Sequence, residues 1–169
     1  MSDSEETFQT LRAYLFYSSY KFLLNEQKDL IKDEVLWNIK KGQALTIDKL
    51  QNAEEKRYRI YQKTLSFFDD HDFLITPSSV TVPFDINQPW VKSVEGKELD
   101  NYVSWLMIAA CVSLTNCPSV AISTSFSKQD APIGIQIIAA PHNEKKLLGF
   151  AKTIEDAINI SSMVPKESV

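Results

Sequence analysis

The run Ile133-Gly134-Ile135-Gln136-Ile137-Ile138 is apolar on both alternating sides of a strand, with Gln136 as the single polar interruption. A strand of that kind is covered on both faces, as in layered α/β proteins. Only two other runs read as strands: Phe73-Leu74-Ile75, a buried strand closed by Thr76-Pro77, and Ser119-Val120-Ala121-Ile122-Ser123. Three short strands make a thin sheet, and much of its cover has no source within the chain. The sequence reads as a partial α/β layer, helices packed on a mixed β-sheet, that is incomplete by itself. At 169 residues it is of single-domain size. One region is expected over residues 1–169, helical over 4–70 and built of strands and helices over 72–159.

The helical part follows from spacing. Phe8, Leu11, Leu15, Ser18 or Ser19, and Phe22 recur at three- and four-residue steps and predict one buried face. A second helix is expected over residues 28–39, stopped at Gly42, which tolerates positive φ. Thr46 or Asp48 can cap a third, with Leu50, Ala53, Arg57, Tyr61, Leu65 and Phe68 on its inner stripe. A long loop punctuated by Pro77, Pro83 and Pro89 follows the first strand, and residues 100–114 return to helix. Asn143 can cap a last helix with Leu147, Leu148, Ala151, Ile154 and Ile158 on its inner stripe.

Composition removes whole classes of function. The balance of 18 basic and 22 acidic residues weighs against a nucleic-acid partner. Four isolated glycines provide no phosphate-cradling loop, so no nucleotide cofactor is expected. Two cysteines and two histidines without ligand spacing predict no metal site and no disulfide framework. The apolar run over residues 105–112 is too short for a bilayer, which takes about 20 residues. The acidic N-terminus is unlike a secretory signal. A cytoplasmic chain with no membrane partner is the expectation.

No catalytic residue emerges from these types and spacings. The pairs Ser18-Ser19, Ser78-Ser79 and Ser161-Ser162 have no neighbouring glycine to present an oxyanion hole. His71, between Asp70 and Asp72, reads as a residue meeting the C-terminal dipole of a helix. Cys111 and Cys117 sit in apolar sequence with no basic neighbour, as inert buried thiols do. In Asp69-Asp70-His71-Asp72, successive side chains do not converge on one ion.

Five segments nevertheless carry a pattern. The stretch from Phe67-Phe68-Asp69-Asp70-His71 to Asp72-Phe73-Leu74-Ile75-Thr76-Pro77 resembles the D-x-L-x-x-P segment of the amidase signature family. Leu114-Thr115-Asn116-Cys117-Pro118-Ser119 is similar to its L-T-G-x-P-A. Ala131-Pro132 through Ile138, with Glu144-Lys145-Lys146-Leu147-Leu148, is similar to L-P-V-G-L-Q-I-V followed by E-x-x-L-L. The segment from Val35-Leu36-Trp37-Asn38 to Gly42 and Asp100-Asn101-Tyr102-Val103-Ser104-Trp105-Leu106 resemble a bacterial amidase subgroup. All five stand in the family's order.

The resemblance implies a position within a longer enzyme. Members hydrolyse amide C–N bonds with a nucleophilic serine, a bridging serine in a cis peptide and a lysine base, all upstream of the matching region. This chain resembles the C-terminal portion, so it carries over no catalytic residue and is expected to be inactive alone. It would close the sheet and supply one wall of the acyl pocket, with Thr76, Pro77, Tyr102, Trp105, Leu106 and Cys117 as wall residues. Plain core packing is the alternative for Tyr102 and Trp105. The implied partners are a chain carrying the N-terminal amidase portion and, in the assembly, a small amide; self-association through Ile133–Ile138 or Val120–Ile122 as a bare sheet edge is a further expectation. The competing reading is a non-catalytic, amidase-like remnant used as a binding module. Asn116 stands where the family has glycine, which weighs against close backbone approach there. Where the family's tRNA-dependent members carry charged glutamine-reading groups, this chain has Trp37-Asn38 and Trp105-Leu106. An uncharged wall disfavours glutamine.

Overall fold

The computed structural model describes residues 2–26, 30–128 and 130–159. Ser161-Ser162 lies outside the described residues. Helix α1 (Ser2–Tyr20) leads through the single turn α2 (Leu23–Glu26) to α3 (Asp33–Gln43) and the long α4 (Ile47–Asp70). Thr46 caps α4, its Oγ1 accepting from the Lys49 N–H at 3.3 Å. The stripe expected on α4 does turn inward, with Ala53 buried and its companions half-buried.

Two helix expectations are corrected. Gly42 does not stop α3; it lies buried inside the helix, which ends at Gln43. Its role is close approach: a Cβ there would stand 2.1 Å from the Ala13 carbonyl oxygen and 2.6 Å from Tyr17 Cβ. That near-contact decides which face of α1 packs. Thr7 and Ala13 are buried, whereas Leu15 and Phe22 of the expected stripe are 59 % and 52 % exposed. Hydrophobic spacing located an apolar face; the glycine selected another for the helix crossing.

The sheet is built from β1 (Leu74–Pro77), β4 (Ser119–Phe126) and β5 (Pro132–Ile138), in the order β1-β5-β4. Both pairings are antiparallel, so a mixed sheet requires strands beyond these three. β5 is central and the edges are β1 and β4, so of the two strands expected at a bare edge it is the one holding Val120–Ile122 that lies there. Nor is β1 fully buried: its exposure alternates, and Ile75 is 47 % exposed. Helix α6 (Glu144–Ile158) lies over β4. Leu147 and Ala151 form a buried cluster with Ile137 and Ala139, ringed by Phe73, Val120, Ile122, Ile135, Phe150 and Ile154. Leu148, expected on that inner stripe, is 61 % exposed. Asn143 occupies the N-cap of α6 but donates back to the Pro141 carbonyl at 3.2 Å instead of capping.

The loop after β1 contains a small hairpin, β2 (Ser93–Val94) with β3 (Lys97–Glu98). Its turn residues Glu95 and Gly96 both have positive φ, the conformation of a tight two-residue hairpin. The helix expected over 100–114 is broken into 3₁₀ turns at Ser104–Leu106 and Cys111–Leu114 around α5 (Met107–Ala110). Local polar groups account for the breaks. Asn101 Oδ1 accepts from the Val103 N–H at 2.9 Å, and Ser113 and Thr115 hydroxyls donate to carbonyls three residues back, each at 2.6 Å.

Candidate functional site

Tyr102 is where α1, α3 and the 3₁₀ segment meet. Its hydroxyl accepts from Asn38 Nδ2, and Arg12 Nη2 donates to it at 3.2 Å. Asn38 is buried in α3 and its Nδ2 also donates to the Glu34 carbonyl at 3.1 Å. Trp37, one residue earlier, meets the Tyr102 ring edge-on with centroids 5.9 Å apart. The Arg12 guanidinium lies 4.5 Å from the Phe16 ring centroid, and its Nε is buried without a hydrogen-bond partner among the described residues. An orphaned donor of that kind marks a place where an acceptor fits.

Trp105 stands on the same segment and meets Phe84 at 5.8 Å, nearly perpendicular. This contact ties the proline-punctuated loop to the 3₁₀ turn. Tyr102 and Trp105 are thus half-buried, with the exposed rings of Trp37 and Phe84 against them and one guanidinium beside Tyr102. Aromatic faces of this kind hold apolar or planar groups, and the guanidinium holds an anion or a carbonyl oxygen.

Of the remaining expected wall residues, Leu106 shares the 3₁₀ turn with Trp105, and Thr76, Pro77 and Cys117 belong to other segments. Thr76 and Pro77 end β1, and no hydrogen bond or ring contact among the described residues joins them to Tyr102 or Trp105. Cys117 sits in the turn before β4, where its N–H donates to Thr115 Oγ1 at 3.3 Å; Leu106 is half-buried in the 3₁₀ turn. Thr76 Oγ1 is buried and unpartnered among the described residues, opposite Gln136 in the β1–β5 register. Gln136 is buried, and among the described residues no hydrogen bond joins its amide to the Thr76-Pro77 backbone, one of the partners a lone polar residue in that strand could take.

Sequence reasoning missed Arg12 and Phe84, and it placed Asn38 beside Trp37 without its contact to Tyr102. Arg12, from outside Trp37-Asn38 and Trp105-Leu106, places a charge beside Tyr102. Asn38 had a signal, since a polar residue next to Ile39 on a helix face needs a partner.

The other candidate groups behave structurally. His71 caps α4 in an extended conformation, stacks on Phe67 at 4.1 Å and places Nδ1 2.9 Å from the Phe67 carbonyl. Burial pushes the Cys111 thiol up, away from the thiolate. Ser78 donates its N–H to the Gly134 carbonyl at 3.1 Å. Asn116 has φ 54°, so the left-handed position exists and asparagine fills it.

A cavity of about 630 Å³ opens between α1, α3, α4 and the Asp100-Asn101 segment, and no expected site residue lines it. Glu5, Glu6 and Asp100 line it together with Lys41, Lys49 and Lys56. Lys56 pairs with Glu6 at 2.5 Å, and Lys41 donates to Gln9. Burial lowers the Lys41 pKa, and the charge of Glu5 opposes that shift. Its balanced charges and internal pairs make it a polar cleft rather than a reaction centre.

Comparison with known proteins identifies the family. A protein-family model described as Amidase matches residues 4–148. Among curated proteins, a glutamyl-tRNA(Gln) amidotransferase subunit from Alkaliphilus metalliredigens is 26 % identical over 161 residues, covering 92 % of this chain and 32 % of that protein. A 1-carboxybiuret hydrolase subunit of Pseudomonas sp. (strain ADP) is 34 % identical over 100 residues, covering 58 % of this chain and 22 % of that protein. A bacterial aryl acylamidase of the amidase signature family superposes with a TM-score of 0.82 at 16 % identity, over 98 % of this chain and 37 % of its own. The chain thus spans about a third of the length of the full-sized proteins it resembles most extensively.

Proposed function

Because the chain belongs to the amidase family, we propose that it is the C-terminal third of an amide-hydrolysing enzyme. In this reading it works with a portion that carries the serine nucleophile, its lysine base and the oxyanion donors. The chain contributes β1, β4 and β5 to the sheet and the Trp37–Tyr102–Trp105 wall to the acyl pocket. The substrate is a small amide whose apolar or planar group lies on those rings. Arg12 holds Tyr102 in place and leaves Nε for an acceptor from the substrate or the completing portion. Family membership over a third of a full-sized enzyme is the observation that carries this reading. The unpartnered Thr76 hydroxyl and bare Leu15 and Phe22 support it, because each is a surface the chain leaves unfinished.

The test begins with the neighbouring reading frames. A chain with a glycine- and serine-rich nucleophile loop and an upstream lysine should co-purify with this one. The pair should hydrolyse an aryl amide while this chain alone does not, since serine activation needs a base and oxyanion donors together. No such chain, or a co-purified pair without turnover, favours the non-catalytic remnant. Turnover by this chain alone, surviving repurification, overturns both readings.

A further inference from the structure

The cleft between α1, α3, α4 and the Asp100-Asn101 segment is lined by three lysines and three carboxylates, so its net charge is zero. Most of that charge is already engaged. Lys41 donates to Gln9 Oε1, and Gln9 Nε2 donates to Glu5 Oε1 at 3.1 Å and to Asn101 Oδ1 at 3.5 Å. Ser104 Oγ donates to the same Glu5 oxygen at 2.6 Å, and Lys56 pairs with Glu6. These bonds tie α1, α3 and the 3₁₀ segment together and fix a polar wall in advance, which lowers the ordering cost of binding. What remains is a cation, an anion and a hydroxyl. Among the described residues the Lys49 ammonium and the Asp100 carboxylate have no hydrogen bond or ion pair, and both side chains are exposed. Thr7, which also lines the cleft, is fully buried, and its Oγ1 has no partner among the described residues. A buried hydroxyl left open in a polar cavity is a place for a ligand's polar group, and a threonine can donate or accept there.

We propose that this cleft binds a small zwitterion of amino-acid to dipeptide size, its carboxylate on Lys49, its ammonium on Asp100 and a polar atom on Thr7 Oγ1. The free charges select that class. An anion such as phosphate gains Lys49 but meets the unpaired Asp100, and an organic cation gains Asp100 but meets the unpaired Lys49. Like-charge contacts of that kind reject the wrong ligand, whereas a ligand with both charges satisfies both groups. A metal ion fits no better, because no group of three or more His, Cys, Asp or Glu among the described residues could hold one. The volume of about 630 Å³ falls within the range of small-ligand clefts, about 300–1,000 Å³. The site uses neither Tyr102 nor Trp105 and is separate from the proposed acyl pocket.

Heteronuclear NMR titration of the 169-residue chain at neutral pH tests this, with glycylglycine, N-acetylglycylglycine and glycylglycine amide as probes. Glycylglycine should shift the amide resonances of Thr7, Gln9 and Lys49 saturably. Each blocked form should bind more weakly by about tenfold or more, the factor that one charge-assisted hydrogen bond carries. Lys49→Gln and Asp100→Asn change exposed side chains and leave the Thr46 cap and the Gln9 bonds in place. Each should weaken glycylglycine by a similar factor, and selectively. Lys49→Gln should erase the penalty for blocking the carboxylate, and Asp100→Asn the penalty for blocking the amine. If one variant fails to fold, the other and the three probes decide. Absence of saturable shifts throughout the millimolar range overturns the proposal. Equal binding of a blocked form also overturns it, making the cleft a plain anion or cation site, as does binding indifferent to both substitutions. None of these readouts involves amide turnover, so the amidase reading stands or falls separately.

Discussion

Gly42→Ala opposes two effects with different signs. In an exposed helix the change stabilises by about 0.8–1.0 kcal/mol, because alanine is the better helix former. At Gly42 the added Cβ would stand 2.1 Å from the Ala13 carbonyl oxygen and 2.6 Å from Tyr17 Cβ. Reaching even 3.0 Å requires α1 and α3 to part by about 0.9 Å. The obstacle is backbone, so no rotamer change relieves it. Gaps of 0.5–1 Å forfeit roughly a quarter to a half of each dispersion contact, and overpacked cores lose typically about 1–3 kcal/mol. The crossing also carries the Asn38–Tyr102 and Gln9–Lys41 hydrogen bonds. The expected net effect is a loss of about 1–3 kcal/mol, or roughly 3–10 °C in Tm for a domain of this size. Gly149, inside α6 with nothing within 4 Å of its virtual Cβ, is the matched control. Gly149→Ala should raise stability by about 0.5–1 kcal/mol. Thermal and urea melts of the two variants check both signs. A Gly42→Ala variant melting at or above wild type would refute the close-approach argument.

Tyr102→Phe removes the acceptor shared by Asn38 and Arg12, leaving a buried amide N–H unpaired. A loss of about 1–3 kcal/mol in urea unfolding is expected, with Trp105→Phe as a milder comparison that keeps the contact to Phe84. The Lys146 hydrogen bond holds Asp72 below the ordinary carboxylate value of 3.8. Its contribution is therefore present above that value and lost as pH falls through the lowered folded pKa; Asp72→Asn should flatten the acid limb of a Tm-against-pH curve and leave the neutral region nearly unchanged. Gln136→Leu takes away a polar group with no hydrogen bond to the Thr76-Pro77 backbone, so the isolated protein should melt within about 0.5 kcal/mol of wild type or above it. A loss well beyond that in guanidinium titration would show that Gln136 has found a partner.

Elements were legible wherever one period dominated. The α4 stripe and the β4 strand are single-period segments whose burial follows their pattern, and the structure keeps them; β5 forms where expected but is exposed at Pro132 and Ile133 and buried over Gln136–Ile138. The segment over 100–114 was not legible as a broken helix, because its breaks come from Asn101, Ser113 and Thr115 side chains competing for backbone groups. The Glu95–Gly96 hairpin hid inside a loop whose prolines suggested irregular structure throughout. α1 misled for another reason. An apolar spacing says which residues favour leaving water, and among the described residues Leu15 and Phe22 find no cover. What sets the α1–α3 crossing is a missing side chain, at Gly42, and a missing side chain has no period.

The surroundings of Tyr102 and Trp105 show a stricter limit. Tyr102 and Trp105 were chosen from their place in a motif, and both do lie at a meeting of elements. Arg12, Asn38 and Phe84 reach the same place from helix α1, helix α3 and a loop, at sequence separations of 90, 64 and 21 residues. No local pattern encodes such distances; only the helix crossing at Gly42 brings the first two together. That dependence has a physical consequence. The orientation of Tyr102 depends on the α1–α3 spacing, so a substitution at Gly42 perturbs the wall without touching any residue in it. Wall geometry and helix packing are therefore one quantity here. Loss of stability in Gly42→Ala should be accompanied by altered Trp37 and Trp105 fluorescence in the folded state.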